Sequence, residues 1–168
     1  MSNEPDNPEI HVPATNLVGF AEAQESIEKA LENACHHLYL KFHTLNHPLL
    51  ASEQFIETLK DKLVASKRFD CHILLEEIKP GKRNSDFVRY YQRLTDYIEI
   101  RRFIPEHASA DRRQYVIVDN DLLAWQSYDR RHDMRLYTDK HRIQDFSDAF
   151  QADWKTSSRD LSLLKLYI

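Results

Sequence analysis

The fold is decided by the stretch RRQYVIVDNDLLAWQSYDRRHDMRLYTDKHRIQDFSDAFQADW, which spans residues 112–154. Two β-rich runs, RRQYVIVD and LLAWQSYD, are connected through DND, and so short a connection permits only an antiparallel hairpin. RLYT, residues 135–138, predicts a further short strand. Apolar residues then recur at helical spacing: Ile143, Phe146, Phe150 and Trp154. The stretch therefore predicts a hairpin followed by a closing amphipathic helix.

Upstream of this stretch, helical and strand patterns alternate. Periodicity predicts helices over 20–34, 52–64 and 86–97, and strands over 36–43, 70–78 and 97–103. Such alternation favours parallel strands joined by right-handed crossovers. We therefore predict an α/β fold with a mixed, mostly parallel sheet flanked by helices, in a single domain over 16–168. Residues 1–15 contain three prolines and few apolar side chains, which predicts a flexible N-terminal tail.

Composition excludes two common ways of binding nucleotides. The chain has 168 residues, a length typical of one domain, and its only glycines are Gly19 and Gly81. P-loops and dinucleotide fingerprints need two or three glycines within a few residues, so neither can form here. No run of 18 apolar residues occurs, and the N-terminus is acidic and proline-rich. These features predict a cytoplasmic protein with no membrane span.

Charge is unevenly distributed along the chain, whose formal net charge is −4. Residues 81–142 contain 13 basic and 10 acidic side chains. They include three arginine pairs: Arg101/Arg102, Arg112/Arg113 and Arg130/Arg131. These pairs are candidates for anion binding, although solvated surface with local aspartate partners is the simpler interpretation. Three rings near them, Tyr115, Trp125 and Tyr128, either pack the sheet, which we favour, or stack on single-stranded nucleic acid.

The order of α/β units, hairpin and a closing helix with Phe146, Phe150 and Trp154 resembles one half of the phospholipase D-like fold. In that family the first hairpin strand carries His-x-Lys-x4-Asp, and the second ends in Gly-Ser-x-Asn. The histidine is the nucleophile that takes the phosphoryl group, while the lysine and asparagine hold the phosphate oxygens. The resemblance covers roughly residues 20–155.

Alignment on Asp119 places the motif without gaps and shows which of its residues are replaced. Arg112 occupies the nucleophile position, and Gln114 occupies the lysine position. Ser127 matches the family serine, whereas Asp129 stands in place of the asparagine. The resemblance therefore implies a single, degenerate half.

These replacements change what the site can do. Covalent catalysis needs a side chain that attacks phosphorus and later leaves, and Arg112 stays protonated and cannot be that nucleophile. Gln114 supplies a dipole in place of a full charge, and Asp129 puts a negative charge where phosphate oxygens should lie. We therefore predict no catalytic residue at the motif positions. Arg112 either pairs with Asp129 in a dead site or retains anion binding.

The histidines give a weaker signal. His43 and His47 have the i, i+4 spacing of metal ligands, but Pro48 favours a loop there, so we predict neither a metal site nor a cofactor. His43 ends a predicted strand, at the edge where open α/β sheets place their ligands, and is a secondary site candidate together with His107. Glu76, followed by Glu77, precedes a loop and is predicted to be solvated.

Three functions fit these observations. The first, which we favour, is a non-catalytic phospholipase D-like domain in a bacterial protein, a pseudoenzyme that binds a phosphate-bearing ligand, a nucleic acid or a protein partner. The second is a hydrolase that uses His43, His107 and the arginine pairs. The third is a structural dimerisation module. The family's active site needs two halves and this chain has the length of one, so the resemblance also predicts a homodimer. Degenerate halves also accompany other domains, acyltransferases included, which the resemblance allows and the sequence does not show.

Overall fold

The computed structural model describes residues 16–78, 85–104, 113–127 and 133–159. Within them the chain forms four helices and eight strands. The helices are α1 (Phe20–Asn33), α2 (Glu53–Ala65), α3 (Ser85–Arg93) and α4 (Lys140–Thr156). The strands are β1 (Leu17–Gly19), β2 (His37–Phe42), β3 (Asp70–Leu75), β4 (Ile98–Arg102), β5 (Arg113–Val118), β6 (Leu122–Ser127), β7 (Asp133–Tyr137) and β8 (Ser158–Arg159). The predicted N-terminal tail lies outside the described residues.

The strands form one mixed sheet in the order β1-β7-β6-β5-β2-β3-β4-β8. Strands β2, β3 and β4 run parallel, and the other neighbours in the order pair antiparallel. The α/β class, the mixed sheet and the hairpin β5–β6 are thereby confirmed. The sheet is less parallel than predicted, because two of its seven pairings are parallel: β5, β6 and β7 contribute three antiparallel pairings, and the edge strands β1 and β8 add two more. These strands have three and two residues, too few to produce a periodic pattern.

The helices lie on both faces of the sheet. Helices α1, α2 and α3 cover one face, where they pack against side chains such as Leu38, Leu40 and Val116. Of the described helices, α4 packs on the other face, where Phe150 packs against Tyr115. The closing helix is therefore confirmed. Beside α4 on this face, Trp125 and Tyr137 are half-buried and Arg135 is exposed.

Local signals explain why the helices begin where they do. The Ser52 side chain accepts a hydrogen bond of 3.3 Å from the Phe55 N–H and caps α2, as its position in the sequence predicted. The Asp139 side chain caps α4 in the same way, through a 3.0 Å bond from the His141 N–H. Within the described ranges, no helix is long and apolar enough to cross a membrane.

Candidate functional site

The motif positions lie at opposite ends of β5. Because β5 runs antiparallel to β2, Gln114 lies near the carboxyl end of β2 and Asp119 lies near its start. Five residues along a strand span roughly 17 Å. Gln114 and Asp119 therefore cannot hold the same small ligand, and the two ends have separate roles.

Asp119 holds the start of β2. Its carboxylate accepts hydrogen bonds from the backbone N–H groups of Cys35, His36 and His37, at 2.7, 2.9 and 2.8 Å. Burial alone would raise the pKa of this carboxyl, but the three donors outweigh it and hold the pKa below its usual value. The residue has φ of 47°, a left-handed conformation that aspartate tolerates better than most residues. These contacts assign Asp119 to the fold.

Two neutral amide side chains of the hairpin lie near the carboxyl end of β2. Gln114 and Gln126 are cross-strand partners on β5 and β6. Gln114 Oε1 accepts a 3.0 Å bond from the backbone N–H of His43, and Gln126 Oε1 lies 2.8 Å from Nε2 of His47. Both amide oxygens thus bind the segment that follows β2. The lysine position of the family motif therefore carries no charge in this chain.

His47 is buried, although its sequence context predicted a loop or surface position. The Leu49 N–H donates to Nδ1, so the proton lies on Nε2 and is donated to Gln126. The ring stacks on Phe42 with centroids 3.9 Å apart. Burial lowers the pKa of His47 to about 4, despite the opposing bond to Gln126. His47 is therefore neutral at neutral pH and holds the loop in place.

His43 and Glu76 form a pair at the same edge of the sheet. They are the first residues after the parallel neighbours β2 and β3, and Nδ1 of His43 lies 2.8 Å from Oε2 of Glu76. The His43 side chain is 44% exposed and that of Glu76 is 16% exposed. The Glu77 N–H also donates to the His43 carbonyl at 2.9 Å. The prediction of a solvated Glu76 was therefore wrong. The predicted parallel pairing could have revealed the contact, because residues that follow neighbouring parallel strands meet at one edge.

The three candidate arginines that the structure describes do not form one cluster. Arg101 bonds to Glu99 at 3.0 Å and to the carbonyl of Trp154 at 3.2 Å, so it has a structural role. Arg102 is exposed at the end of β4, and Arg113 begins β5. Strands β2 and β3 separate them, which corresponds to roughly 14 Å at the usual strand spacing.

Arg113 contacts two aromatic rings. Its guanidinium lies 4.2 Å from the ring centroid of Phe146 and 5.3 Å from that of Trp125. Ser127, the other motif match at this edge, is the cross-strand partner of Arg113 and is half-buried. The remaining predicted site residues lie outside the described residues: Arg112, Asp129, Arg130, Arg131 and His107.

The three rings singled out in the sequence have different environments. Tyr115 is 1% exposed and packs in the core under α4, in agreement with the prediction that these rings pack the sheet. Trp125 is only half-buried at the rim of that core, and Tyr128 lies outside the described residues. In the part of the chain that the structure describes, no three histidine, cysteine or acidic side chains converge on a point that could hold a metal ion.

Several solved structures share the fold at low sequence identity. NucT from Helicobacter pylori has a TM-score of 0.61 at 13% identity, and the match covers 86% of this chain and 97% of NucT. Nuc from Salmonella typhimurium, a phospholipase D family member, has a TM-score of 0.61 at 14% identity, with 86% and 95% covered. TrmBL2, an archaeal chromatin protein with a novel mode of DNA binding, has a TM-score of 0.57 at 14% identity, with 86% and 53% covered. At such identities the likeness shows the fold alone, which is phospholipase D-like.

The sequence itself gives a narrower assignment. No curated protein matches it. A family model described as a domain of unknown function, DUF7931, matches residues 20–166. The match spans most of the 168 residues, and the chain therefore belongs to the DUF7931 family.

Proposed function

We propose that the chain is a non-catalytic phospholipase D-like domain that binds the phosphate groups of a nucleic acid. The observation that carries the proposal is the guanidinium of Arg113, which contacts the rings of both Trp125 and Phe146 at the carboxyl edge of the sheet. Arginine stays protonated and presents several donors in one plane, which suits phosphate oxygens. A guanidinium held by two rings also loses little conformational freedom when it binds. Such a function places the protein in the cytoplasm, where nucleic acid is present.

The residues at the motif positions support binding without cleavage. Phosphoryl transfer depends on positive charge placed where negative charge develops in the transition state. Gln114 offers a neutral amide there, and its oxygen is already bonded to the His43 N–H. The nucleophile position holds an arginine, which cannot attack phosphorus.

The test is binding of a fluorescently labelled oligonucleotide, measured by anisotropy between about 50 and 200 mM salt. We expect affinity to fall with salt, and Arg113→Gln to weaken binding and reduce the salt slope by about one. Arg89→Gln on α3 is the matched control, because this exposed arginine lies on the opposite side of the sheet. Absence of binding at the lowest salt, or equal loss in the two variants, would contradict the proposal.

A hydrolase is the second candidate, and the pair of His43 and Glu76 favours it. A carboxylate at Nδ1 fixes the imidazole tautomer and leaves Nε2 as the nitrogen that accepts a proton, as in catalytic His–carboxylate pairs. The assay is hydrolysis of an aryl phosphodiester. Turnover that His43→Ala abolishes and Glu76→Gln lowers would replace the binding-only proposal with this one. Absence of turnover in the unmodified protein would remove the hydrolase.

We also propose that two copies associate across the carboxyl edge of the sheet. The support is the resemblance to a fold whose functional site is built from two halves. This edge also carries two of the motif positions, Gln114 and Ser127, and the His43–Glu76 pair.

A further inference from the structure

A row of arginines and half-buried rings lies beside α4, on the sheet face against which this helix packs. We name it the arginine–aromatic strip, and its members are Arg113, Trp125, Arg135, Tyr137 and Arg142. The strand register places them on one face, because Trp125 on β6 is the cross-strand partner of Arg135 on β7. The same register places Leu17 of β1 beside Arg135, so the face continues to the edge of the sheet. Sequence reasoning missed Arg135 and Arg142, which become neighbours of Trp125 only through the pairing of β6 with β7 and the docking of α4.

Each arginine of the strip lies over a ring. Arg113 is 5.3 Å from the Trp125 centroid, Arg135 is 5.8 Å from the same ring, and Arg142 is 4.0 Å from the Tyr137 centroid. These distances fall within the range of cation–π contacts. The guanidiniums are therefore ordered before any ligand arrives, in an arrangement that extends over three strands and the first turn of α4.

The strip is accessible. Arg135 and Arg142 are exposed, whereas Trp125 and Tyr137 are half-buried at the rim of the core beneath α4. Each rim ring packs on the core and also carries a guanidinium of the strip, so the surface of the strip is made of rings and guanidiniums together. Proteins that bind single-stranded nucleic acid without sequence preference combine flat aromatic rings with positively charged side chains in this way.

The acidic residues around the strip are engaged locally. Asp139 caps α4 by accepting the His141 N–H at 3.0 Å, and Asp145 lies 3.6 Å from His141. Asp133 begins β7 on the same face as Arg135 and also has a partner. Three arginines thus lie near three described aspartates, and the exposed guanidiniums of Arg135 and Arg142 are the donors that a phosphate can reach.

We propose that the strip binds single-stranded nucleic acid, with bases stacked on Trp125 and Tyr137 and phosphates at the arginines. The inference rests on the proposed binding of nucleic acid and names the form of the ligand. In a duplex the base faces are stacked on one another, so rings held flat on a sheet cannot reach them. Unpaired bases are free to stack on such rings.

The experiment compares three labelled ligands of about 12 nucleotides, a length within the site sizes of single-strand binders. They are a single strand, the duplex of the same sequence, and a strand of the same length without bases. We expect the single strand to bind at least about fivefold more tightly than the strand without bases, since each stacked base contributes roughly 1–3 kcal/mol. We also expect the duplex to bind more weakly than the single strand.

Two variants separate stacking from charge. Tyr137→Leu should lower affinity for the single strand several-fold and lower affinity for the strand without bases much less, through the loss of the Arg142 contact. Arg135→Gln should weaken both and reduce the salt slope by about 0.7, the value for one phosphate contact on a single strand. Arg89→Gln should change neither, and circular dichroism of each variant checks that it is folded. Binding of the single strand should also change the fluorescence of Trp125 in a Trp154→Phe background.

The outcomes are distinguishable. If the strand without bases binds as tightly as the intact strand, or the duplex binds more tightly, the stacking inference is wrong and phosphate binding stands. If none of the three ligands binds at low salt, the proposed function fails together with the inference.

Discussion

Asp119 matches the motif acid of phospholipase D-like proteins, yet all of its contacts described above are to backbone. Three N–H groups at the start of β2 converge on one carboxylate, at 2.7, 2.8 and 2.9 Å. Hydrogen bonds to a charged acceptor are among the stronger ones in proteins, and unpaired backbone donors are costly when buried. A motif position can therefore serve the fold through its backbone contacts alone.

The first prediction concerns this carboxylate. Asp119→Ala should lower the free energy of unfolding by about 3 kcal/mol, because it leaves three backbone donors without their acceptor. Urea denaturation followed by circular dichroism measures the change. Asp121→Ala, an exposed aspartate in the same turn, is the control and should change stability by less than about 0.5 kcal/mol. Equal effects of the two substitutions would refute the structural role of Asp119.

The second prediction is a loss of stability in mild acid. Burial lowers the pKa of His47 to about 4, while the unfolded chain has the model value of 6.5. Between these values the unfolded state binds a proton that the folded state does not, so stability is complete above pH 6.5 and falls as pH drops towards 4. The expected loss is about 3 kcal/mol. Burial also lowers the pKa of His37 and of His72, which adds to the loss in the same direction.

Urea denaturation between pH 5 and pH 7.5 measures this dependence. The range includes 6.5, the pKa of His47 in the unfolded chain, and extends towards its folded-state pKa of about 4. His47→Gln is the comparison, since an amide can retain the bond to Gln126 without titrating. Its stability should vary less with pH than that of the unmodified protein. An unchanged dependence would show that the acid sensitivity arises elsewhere.

At the scale of elements, one buried ion pair fastens α4 to the sheet. Nζ of Lys41 on β2 lies 2.8 Å from Oδ2 of Asp153 on α4, and the two side chains are 1% and 3% exposed. The ring centroid of Phe103 lies 4.8 Å from the same Nζ. An ion pair removed from water contributes little net stability, but breaking it strands a charge in the core.

The third prediction follows from that asymmetry. Lys41→Met should lower the free energy of unfolding by about 3–5 kcal/mol, and the double variant Lys41→Met/Asp153→Leu should recover much of the loss. Thermal and urea unfolding measure both. Arg89→Met is the control, because its contact with Asp86 is long, 3.7 Å, and exposed. A double variant as unstable as the single one would mean that the pair is not an isolated unit.

The elements were predictable where a pattern repeats over several residues. The alternation in β2 and the apolar spacing in α2 and α4 gave their type and order, and Ser52 gave a helix start. The strands β1 and β8 are too short to carry a pattern and exist only through pairing. The Lys41–Asp153 pair joins residues 112 positions apart, a contact that no local pattern reveals. The burial of His47 was missed for the same reason, since Gln126, its partner, is 79 positions away.

At the scale of the whole molecule, the described helices are distributed unequally over the sheet. Three helices pack on one face and α4 packs on the other. On the side of β5, β6 and β7, the half-buried and exposed side chains beside α4 form the arginine–aromatic strip. His43, which the sequence analysis placed after a strand at the edge where open α/β sheets put their ligands, lies at the carboxyl edge of the sheet beside Gln114. The strip depends on tertiary pairing and was not predicted.

The fourth prediction is the oligomeric state. Association across the carboxyl edge should give a molar mass near twice the 20.0 kDa of the chain in light scattering at tens of micromolar. Arg102→Glu, at that edge, should lower the mass towards that of one copy, whereas Arg68→Glu, exposed after α2, should not. A single-copy mass for the unmodified protein would exclude the homodimer.

The position of β2 has a consequence for synthesis on the ribosome. β2 lies between β3 and β5, and β5 begins only at Arg113. While a nascent chain grows, one backbone edge of the most central strand stays unpaired until the hairpin emerges, and Leu38, Leu40 and Phe42 stay without their full cover. Unpaired edges beside apolar side chains are where new chains aggregate. A chaperone that binds extended segments would therefore protect this protein during the time between the synthesis of β2 and that of β5. Protection would no longer be needed once Asp119 accepts its hydrogen bonds from the start of β2.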